Sequence, residues 1–193
     1  MSGGTPGDPA GGSPGDPRAE PGEPLAPGID LPGPVGLVAL AREVQAAFLA
    51  AGLSLATCES CTGGLVAHAL TEVPGSSGFF RGGVVCYSND LKRDLAGVPQ
   101  AVIEAHGAVS AQVAVAMAEG ARSRLGADVA VAVTGIAGPD GGTPEKPVGT
   151  VYVALAGPRG TEVVHRVWRG DRDRVRKTTA YEALDMLRRA TRG

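Results

Sequence analysis

The stretch L-S-L-A-T-C-E-S-C-T-G-G-L-V-A-H-A-L at residues 53–70 contains a strand pattern, a corner and a helix pattern in direct succession. The short apolar run Leu53–Thr57 is typical of a buried strand, and the apolar segment Leu65–Leu70 is predicted to be a helix. Between them, Thr62-Gly63-Gly64 marks the corner at which the helix begins. This succession favours an α/β fold.

Helix and strand patterns continue to alternate on both sides of this stretch. Helices are predicted at residues 37–51, from Ser88 to Gly97, from Ser110 through Ala121 and at 171–192, and strands at 84–87, 129–133, 151–155 and 163–168. The last two strands are predicted to form a hairpin through Gly157-Pro158-Arg159-Gly160. We therefore predict a single three-layer α/β domain, in which helices cover both faces of a mixed β-sheet.

Composition limits the domain organisation and the kinds of partner. Residues 1–34 are rich in Gly and Pro and are predicted to be a disordered tail, which leaves residues 35–193 as the folded domain. The formal charge of −2 gives no reason to expect a nucleic-acid partner. No apolar run approaches the ~20 residues that span a bilayer, and no signal peptide is recognisable. With only 3 cysteines and no disulfide framework, we expect a cytoplasmic protein with reduced thiols.

Ser60 is a candidate nucleophile because it stands at the corner between the first predicted strand and a helix start. Unpaired N–H groups at such a start can stabilise an oxyanion or bind a phosphate. The base could be one of three histidines or a lysine, but none of the histidines lies in a catalytic motif: His68, His106 and His165. Lys92 follows a predicted strand, and burial would lower its pKa enough for it to take a proton. Ser60 as a simple helix cap and Lys92 as a solvated helix residue remain the alternatives.

Cys58 and Cys61 form a C-x-x-C pair around Ser60. Such a pair at a strand-to-helix corner is found in thiol redox proteins, where the helix dipole lowers a thiol pKa. Small, partly buried packing residues are the alternative interpretation. Zinc needs about four ligands, and only Cys86 and scattered histidines remain, so we predict no metal site.

A glycine-rich loop over Thr134–Pro147 directly follows the predicted strand 129–133. Ligands bind at the ends of strands in α/β sheets, and glycines let a backbone approach a ligand closely. The loop lacks the spacing of a P-loop or a dinucleotide-binding motif, and a plain surface loop is the alternative. Arg172, at the start of the last predicted helix, could meet a phosphate or a carboxylate.

Seven motifs taken together resemble the CinA C-terminal domain family, which is also called the competence-damage-inducible protein family. They are E-S-C-T-G-G (59–64), G-S-S-G-F-F (75–80), G-V-V-C-Y-S-N-D-L-K (83–92), H-G-A-V-S (106–110), T-G-I-A-G-P-D-G-G (134–142), K-P-V-G-T-V (146–151) and G-D-R (170–172). The resemblance extends in the same order from about Val35 to the end of the chain.

The resemblance implies an amidohydrolase that converts nicotinamide mononucleotide to nicotinic acid mononucleotide and ammonia without a metal or cofactor. Ser60 would be the nucleophile, Lys92 its base and Tyr87 a hydrogen-bonding assistant. Implied substrate contacts are Glu59, Thr62, Gly63, Gly64, Asn89, Thr134, Gly135, Gly138, Asp140, Gly141, Lys146 and Arg172. The resemblance also implies that the chain forms a homo-oligomer.

Two other functions stay open from the sequence. Some domains with similar sequences lack activity, so a nucleotide-binding or regulatory module without catalysis is one alternative. A thiol redox protein that uses Cys58 and Cys61 is the other. The three hypotheses differ in whether ammonia is released, a nucleotide is only bound, or a disulfide is formed.

Overall fold

The structure is a computed structural model that describes residues 34–191. The tail predicted over residues 1–34 lies outside this range, except for Pro34, which begins the first helix. Among the described residues, no helix combines the length and the apolar character needed to cross a lipid bilayer.

Helices and strands alternate along the first two thirds of the described chain, and a hairpin and a long helix follow. The elements are α1 (Pro34–Ala51), β1 (Leu55–Glu59), α2 (Leu65–Thr71), a 3-10 turn (Ser76–Gly78), β2 (Phe80–Val85), α3 (Asn89–Asp94), α4 (Gln100–His106), α5 (Ala111–Arg124), β3 (Val129–Gly135), β4 (Thr150–Gly157), β5 (Gly160–Val167) and α6 (Arg172–Ala190). Ser88, Ser110 and Asp171 are the N-caps of α3, α5 and α6, because each accepts a hydrogen bond from a first-turn amide of its helix.

The strands form one sheet in the order β2-β1-β3-β4-β5. β1 runs parallel to its neighbours β2 and β3, whereas β3 with β4 and β4 with β5 are antiparallel pairs. The sheet is therefore mixed, as the alternating first part and the late hairpin predicted. The carboxyl ends of β2, β1 and β3 lie side by side at one edge of the sheet.

Large and small apolar residues alternate in β3 and place a different layer on each face of the sheet. Val129, Val131 and Val133 belong to the core formed with α1, α2 and α6. Ala130 and Ala132 pack on the opposite face, against α5. The small alanine side chains let α5 lie close to the sheet, and a larger residue there would cost roughly 1–3 kcal/mol in overpacking. Helices on both faces confirm the predicted three-layer architecture.

β1 is displaced by two residues from the predicted Leu53–Thr57, and two further elements differ more from the sequence prediction. β2 begins at Phe80, earlier than the predicted start at Val84. The first half of the strand was missed because Gly82 and Gly83 interrupt its apolar pattern and its side chains alternate between exposed and half-buried. Helix α4 was not predicted, and Ile103 is its one buried residue in the described structure. A short helix with so little apolar surface leaves almost no periodic signal.

Candidate active site

The candidate residues lie where the three neighbouring parallel strands end. Ser60 directly follows β1, Thr134 lies near the end of β3, and Lys92 lies on α3, which follows β2. The backbone amide of Ser60 donates to the carbonyl of Val133 at 3.0 Å, which ties the corner after β1 to the neighbouring strand. This edge is the usual position for a ligand site in an α/β sheet.

The amine of Lys92 meets the hydroxyl group of Ser60. Nζ of Lys92 donates to Oγ of Ser60 at 3.2 Å, although the residues are 32 positions apart. Both are buried, with exposed fractions of 7% for Ser60 and 2% for Lys92. The two residues meet because β1 and β2 are adjacent and parallel, so the segments that follow them start at the same edge.

Lys92 is held by neutral groups rather than by an acid. Its amine also donates to the backbone carbonyls of Cys86 at 3.0 Å and Tyr87 at 3.4 Å, and no carboxylate of residues 34–191 forms an ion pair with it. Burial lowers the pKa of Lys92 below the ordinary value for a lysine. A larger fraction of neutral amine is then present, and only the neutral amine can accept a proton from Ser60.

Tyr87 and Arg172 form a second pair at the mouth of the site. The Tyr87 side chain is 60% exposed, and its phenol oxygen accepts a hydrogen bond from Nη2 of Arg172 at 3.0 Å. Nη1 of Arg172 donates to the carbonyl of Gly138 at 2.8 Å. Arg172 therefore links the segment after β2 to the glycine-rich loop. A guanidinium carries about five N–H donors, so donors remain for an anion at the mouth.

These groups surround a cleft of about 190 Å³. Its lining contains seven of the predicted site residues, namely Ser60, Tyr87, Asn89, Lys92, Thr134, Gly135 and Arg172. Four further residues complete the lining and were not assigned to the site from the sequence, namely Cys61, Ala108, Val109 and Ala137. Ala108 and Val109 belong to the H-G-A-V-S motif, which was the available signal, and small apolar residues gave no chemical reason to select them.

Glu59 was expected to contact the substrate, but its carboxylate is turned away from the cleft. Its carboxylate is buried and accepts hydrogen bonds from the hydroxyl of Thr62 at 2.7 Å and from the amides of Gly64, Val66 and Ala67 at 3.0, 3.1 and 2.8 Å. Glu59 therefore caps helix α2 from the end of β1, and it does not line the cleft. Its negative charge also suits the positive end of the helix dipole.

Of the helix-start donors expected from Thr62, Gly63 and Gly64, all but the Thr62 amide are consequently occupied within residues 34–191. The Gly64 amide and the Thr62 hydroxyl bind Glu59, and the Gly63 amide donates to the Ser60 carbonyl at 3.0 Å. A glycine is required at position 64, whose φ is +93°. These residues therefore shape the corner that presents Ser60 and do not line the cleft.

Four of the predicted contacts in the glycine-rich loop also lie outside the cleft lining. Gly138 contributes its carbonyl to Arg172, and Asp140 and Gly141 are exposed. The amine of Lys146 donates to the carbonyls of His106 at 2.9 Å and Val109 at 2.7 Å rather than facing the cleft. The loop therefore meets the site mainly through its first residues.

The three cysteines are buried free thiols. The Sγ atom of Cys58 lies 3.8 Å from that of Cys86, on the neighbouring segment, so Cys58 does not pair with Cys61. The hydrogen bond to Cys86 and burial raise the pKa of Cys58, and burial raises the pKa of Cys61 to about 12. Neither thiol has the thiolate character of a redox motif. Within residues 34–191, no group of three or more His, Cys, Asp or Glu side chains is placed to hold a metal ion.

Fold and site together define a three-layer α/β protein with a buried serine–lysine pair at the carboxyl ends of its parallel strands. A sequence model of the CinA C-terminal domain matches residues 37–191. The chain belongs to the CinA C-terminal domain family.

Named relatives and solved structures agree with this assignment. The chain is 59% identical over 149 residues to a CinA-like protein of Anaeromyxobacter dehalogenans, covering 77% of this chain and 36% of that protein. It is also 59% identical over 147 residues to a putative competence-damage inducible protein of Symbiobacterium thermophilum, covering 72% of this chain and 34% of that one. The chain thus spans about a third of the length of these relatives.

Solved structures match the chain over nearly their whole length. The competence/damage inducible protein CihA from Agrobacterium tumefaciens is 46% identical with a TM-score of 0.77, and the match covers 84% of this chain and 98% of that one. A CinA superfamily protein from Escherichia coli is 34% identical with a TM-score of 0.76, covering 78% of this chain and 88% of that one. The described residues therefore have the fold of these CinA-family structures.

Proposed function

We propose that the chain is an amidohydrolase that converts nicotinamide mononucleotide and water to nicotinic acid mononucleotide and ammonia, with Ser60 as nucleophile and Lys92 as base. The observation that carries the proposal is the 3.2 Å contact between Nζ of Lys92 and Oγ of Ser60 in a buried environment. A serine next to a lysine with a lowered pKa is the arrangement that an activated hydroxyl nucleophile needs.

In the first step, Oγ of Ser60 attacks the carboxamide carbon while its proton moves to Nζ of Lys92. The carbon becomes tetrahedral, and its oxygen becomes an oxyanion. The ammonium group of Lys92 then gives its proton to the amide nitrogen, and ammonia leaves as the C–N bond breaks. The product is an ester between Ser60 and the pyridine carboxyl group.

In the second step, water attacks the ester carbon and Lys92 removes a proton from the water. The bond to Oγ breaks, the proton returns from Lys92 to Ser60, and the free acid is released. Lys92 therefore serves as base and as acid in each half of the reaction. Its neutral hydrogen-bond partners suit this alternation, because no carboxylate fixes it in the charged form.

The backbone amide of Cys61 is the donor we assign to the oxyanion. Cys61 directly follows the nucleophile and lines the cleft, and no other residue in the described part of the chain accepts a hydrogen bond from its amide. The amide of the residue after a nucleophilic serine has this role in the nucleophile elbow of the α/β-hydrolase fold. Glu59 and backbone carbonyls occupy the amides from Gly63 onward along the corner, which leaves the amides of Cys61 and Thr62 as the donors near Ser60 in the described structure.

The size and charge of the cleft favour a substrate that enters it only in part. A volume of about 190 Å³ lies below the ~300–1,000 Å³ of pockets that enclose a whole drug-sized ligand. The carboxamide-bearing ring would occupy the cleft, and the ribose and phosphate would lie at its mouth. Arg172 at the mouth can pair with the phosphate through its remaining N–H donors.

The test is ammonia release from nicotinamide mononucleotide by the purified full-length chain in the presence of a chelator. We expect release by the wild type, a loss of at least about 1,000-fold in Lys92→Met, and wild-type turnover in the control Lys177→Met, whose lysine forms a surface ion pair with Asp173. Stabilisation of the wild type by the nucleotide without ammonia release would replace this proposal with a binding module.

A further inference from the structure

The turn between α4 and α5 forms one wall of the candidate cleft. Ala108 and Val109 line the cleft and are half-buried, and neither carries a polar side chain. What this wall offers to a ligand is therefore its apolar surface and its backbone. The position of the backbone depends on the contacts that hold the turn from outside the cleft.

Every backbone carbonyl from His106 through Val109 accepts a side-chain hydrogen bond. Nζ of Lys146 donates to His106 at 2.9 Å and to Val109 at 2.7 Å, so one amine bridges the two ends of the turn. Oγ1 of Thr134 donates to Ala108 at 2.8 Å, and Oγ of Ser110 donates to Gly107 at 2.9 Å. Lys146 is the only one of these donors that binds two carbonyls of the turn.

Lys146 is itself held in a fixed position within the glycine-rich loop. Its backbone amide donates to Oγ1 of Thr143 at 3.0 Å, and its carbonyl accepts from the Thr143 amide at 2.9 Å. A Cβ atom added to Gly107 would lie 3.6 Å from the Lys146 amine, so the lysine lies directly against the turn. The amine therefore joins two segments that are 37 to 40 residues apart in the chain.

We propose that Lys146 is a positioning residue for substrate binding, which fixes the Ala108–Val109 wall so that its free backbone N–H groups meet oxygen atoms of the substrate. This inference rests on the proposed function. No residue within 34–191 accepts a hydrogen bond from the amides of Ala108 and Val109, whereas their carbonyls are engaged. The unengaged polar atoms of this wall are thus donors, which suit the carboxamide, ribose or phosphate oxygens of a nucleotide.

Lys146 acts through the turn, so its removal is expected to weaken binding more than chemistry. Within residues 34–191, Ser60 and Lys92 share no hydrogen bond with Lys146 or with the turn, so we expect their mutual contact to survive a movement of the wall. Loss of the ammonium group leaves two carbonyls without their donor and frees the wall. The expected effect is a higher KM at a nearly unchanged kcat.

The test compares Lys146→Met, Lys146→Arg and the control Lys177→Met in the full-length chain. We expect Lys146→Met to raise KM for nicotinamide mononucleotide about tenfold or more while kcat falls less than about threefold. Lys146→Arg keeps the charge and the donors and is expected to recover most of the binding. Lys177→Met is expected to match the wild type, because its lysine pairs with Asp173 on the surface of α6.

Hydrogen exchange of the peptide containing residues 106–110 provides a readout that does not need turnover. We expect faster exchange in Lys146→Met than in the wild type or in Lys146→Arg. If Lys146→Met does not fold, Thr143→Ala is a milder variant, because it removes only the acceptor of the Lys146 amide.

Two results would overturn the positioning role while leaving the amidohydrolase intact. One is an unchanged KM and unchanged exchange in folded Lys146→Met. The other is a fall in kcat at constant KM, which would mean that Lys146 acts on the chemical step. A wild type that releases no ammonia would instead remove the proposed function, and exchange of the 106–110 peptide would then decide whether Lys146 fixes the turn.

Discussion

The guanidinium group of Arg172 donates a hydrogen bond to the phenol oxygen of Tyr87 at 3.0 Å, across 85 positions of the chain. Arg172 begins α6, whereas Tyr87 follows β2. The contact therefore joins two distant segments of the chain at the mouth of the cleft. Since the Tyr87 ring is 60% exposed and has little packing to hold it, this hydrogen bond has a large part in setting its position.

We predict that Tyr87→Phe and Arg172→Met are coupled in their effect on kcat/KM. Each single variant removes the same contact, so the double variant should be less impaired than the product of the two single effects. The coupling free energy should be about 1–2 kcal/mol. A double-mutant cycle of kcat/KM for nicotinamide mononucleotide measures it, and strictly multiplicative effects would show that the two residues act independently.

Activity should rise with pH as Lys92 loses its proton. Its pKa is lowered by burial, and the proposed mechanism requires the neutral amine. Below that pKa the amine is protonated and cannot take a proton from Ser60, so kcat/KM should fall about tenfold for each pH unit. Above it the activity should level off at a pH below the usual lysine pKa of about 10.4.

The pH profile of kcat/KM in the wild type tests whether activity rises with pH in this way. The profile of Tyr87→Phe is the control, because that variant keeps the Lys92 amine and its contact with Ser60. Activity that falls as the pH rises through this range, or that depends only on a carboxylate ionisation at about 4, would be incompatible with a lysine base.

Glu59→Ala should destabilise the protein rather than change substrate contacts. The substitution leaves the buried Thr62 hydroxyl and the amides of Gly64, Val66 and Ala67 without their acceptor. The expected loss in the free energy of unfolding is roughly 2–4 kcal/mol. Urea denaturation followed by circular dichroism measures this loss.

Glu72→Ala is the matched control for Glu59→Ala on the same helix. Glu72 is an exposed C-terminal neighbour of α2 whose ion-pair partner is His68, and its loss should change stability by less than about 0.5 kcal/mol. Equal stability of the two variants would contradict the capping role of Glu59.

The double variant Cys58→Ala/Cys61→Ala should keep ammonia release within about fivefold of the wild type, because the proposed nucleophile is the serine and not a thiol. Cys61 contributes its backbone amide, which alanine retains. Cys58 and Cys61 of the native wild type should also react slowly with iodoacetamide, since both thiols are buried and their pKa values are raised. Loss of activity in a folded double variant would restore the thiol hypothesis.

The sequence predicted the layers from patterns within short segments, whereas the serine–lysine pair was implied by the resemblance to the CinA C-terminal domain family. The residues alone left three histidines open as the base and Lys92 open as a solvated helix residue. The alternation of strand and helix identifies neighbouring parallel strands, and residues that follow such strands meet at one edge. Ser60 directly follows β1, and Lys92 lies on α3, the first helix after β2. Their meeting is thus a consequence of the sheet order.

The roles of Glu59 and Lys146 could not be predicted in the same way. Both are charged residues within motifs that were predicted to contact substrate. Such a motif does not indicate whether the charged side chain faces the cleft or binds other parts of the protein. The carboxylate of Glu59 turns back onto its own corner, and the amine of Lys146 reaches a turn about 40 residues away. The orientation of each charged side chain is set by tertiary contacts, and local sequence patterns carry no information about these contacts.

Ammonia release by Ser60→Ala, measured beside the wild type with nicotinamide mononucleotide, tests the central claim most directly. We expect no release above the uncatalysed background, together with wild-type thermal stabilisation by the nucleotide, because alanine removes the nucleophile and little of the binding surface. Turnover by Ser60→Ala at the wild-type rate would contradict the account.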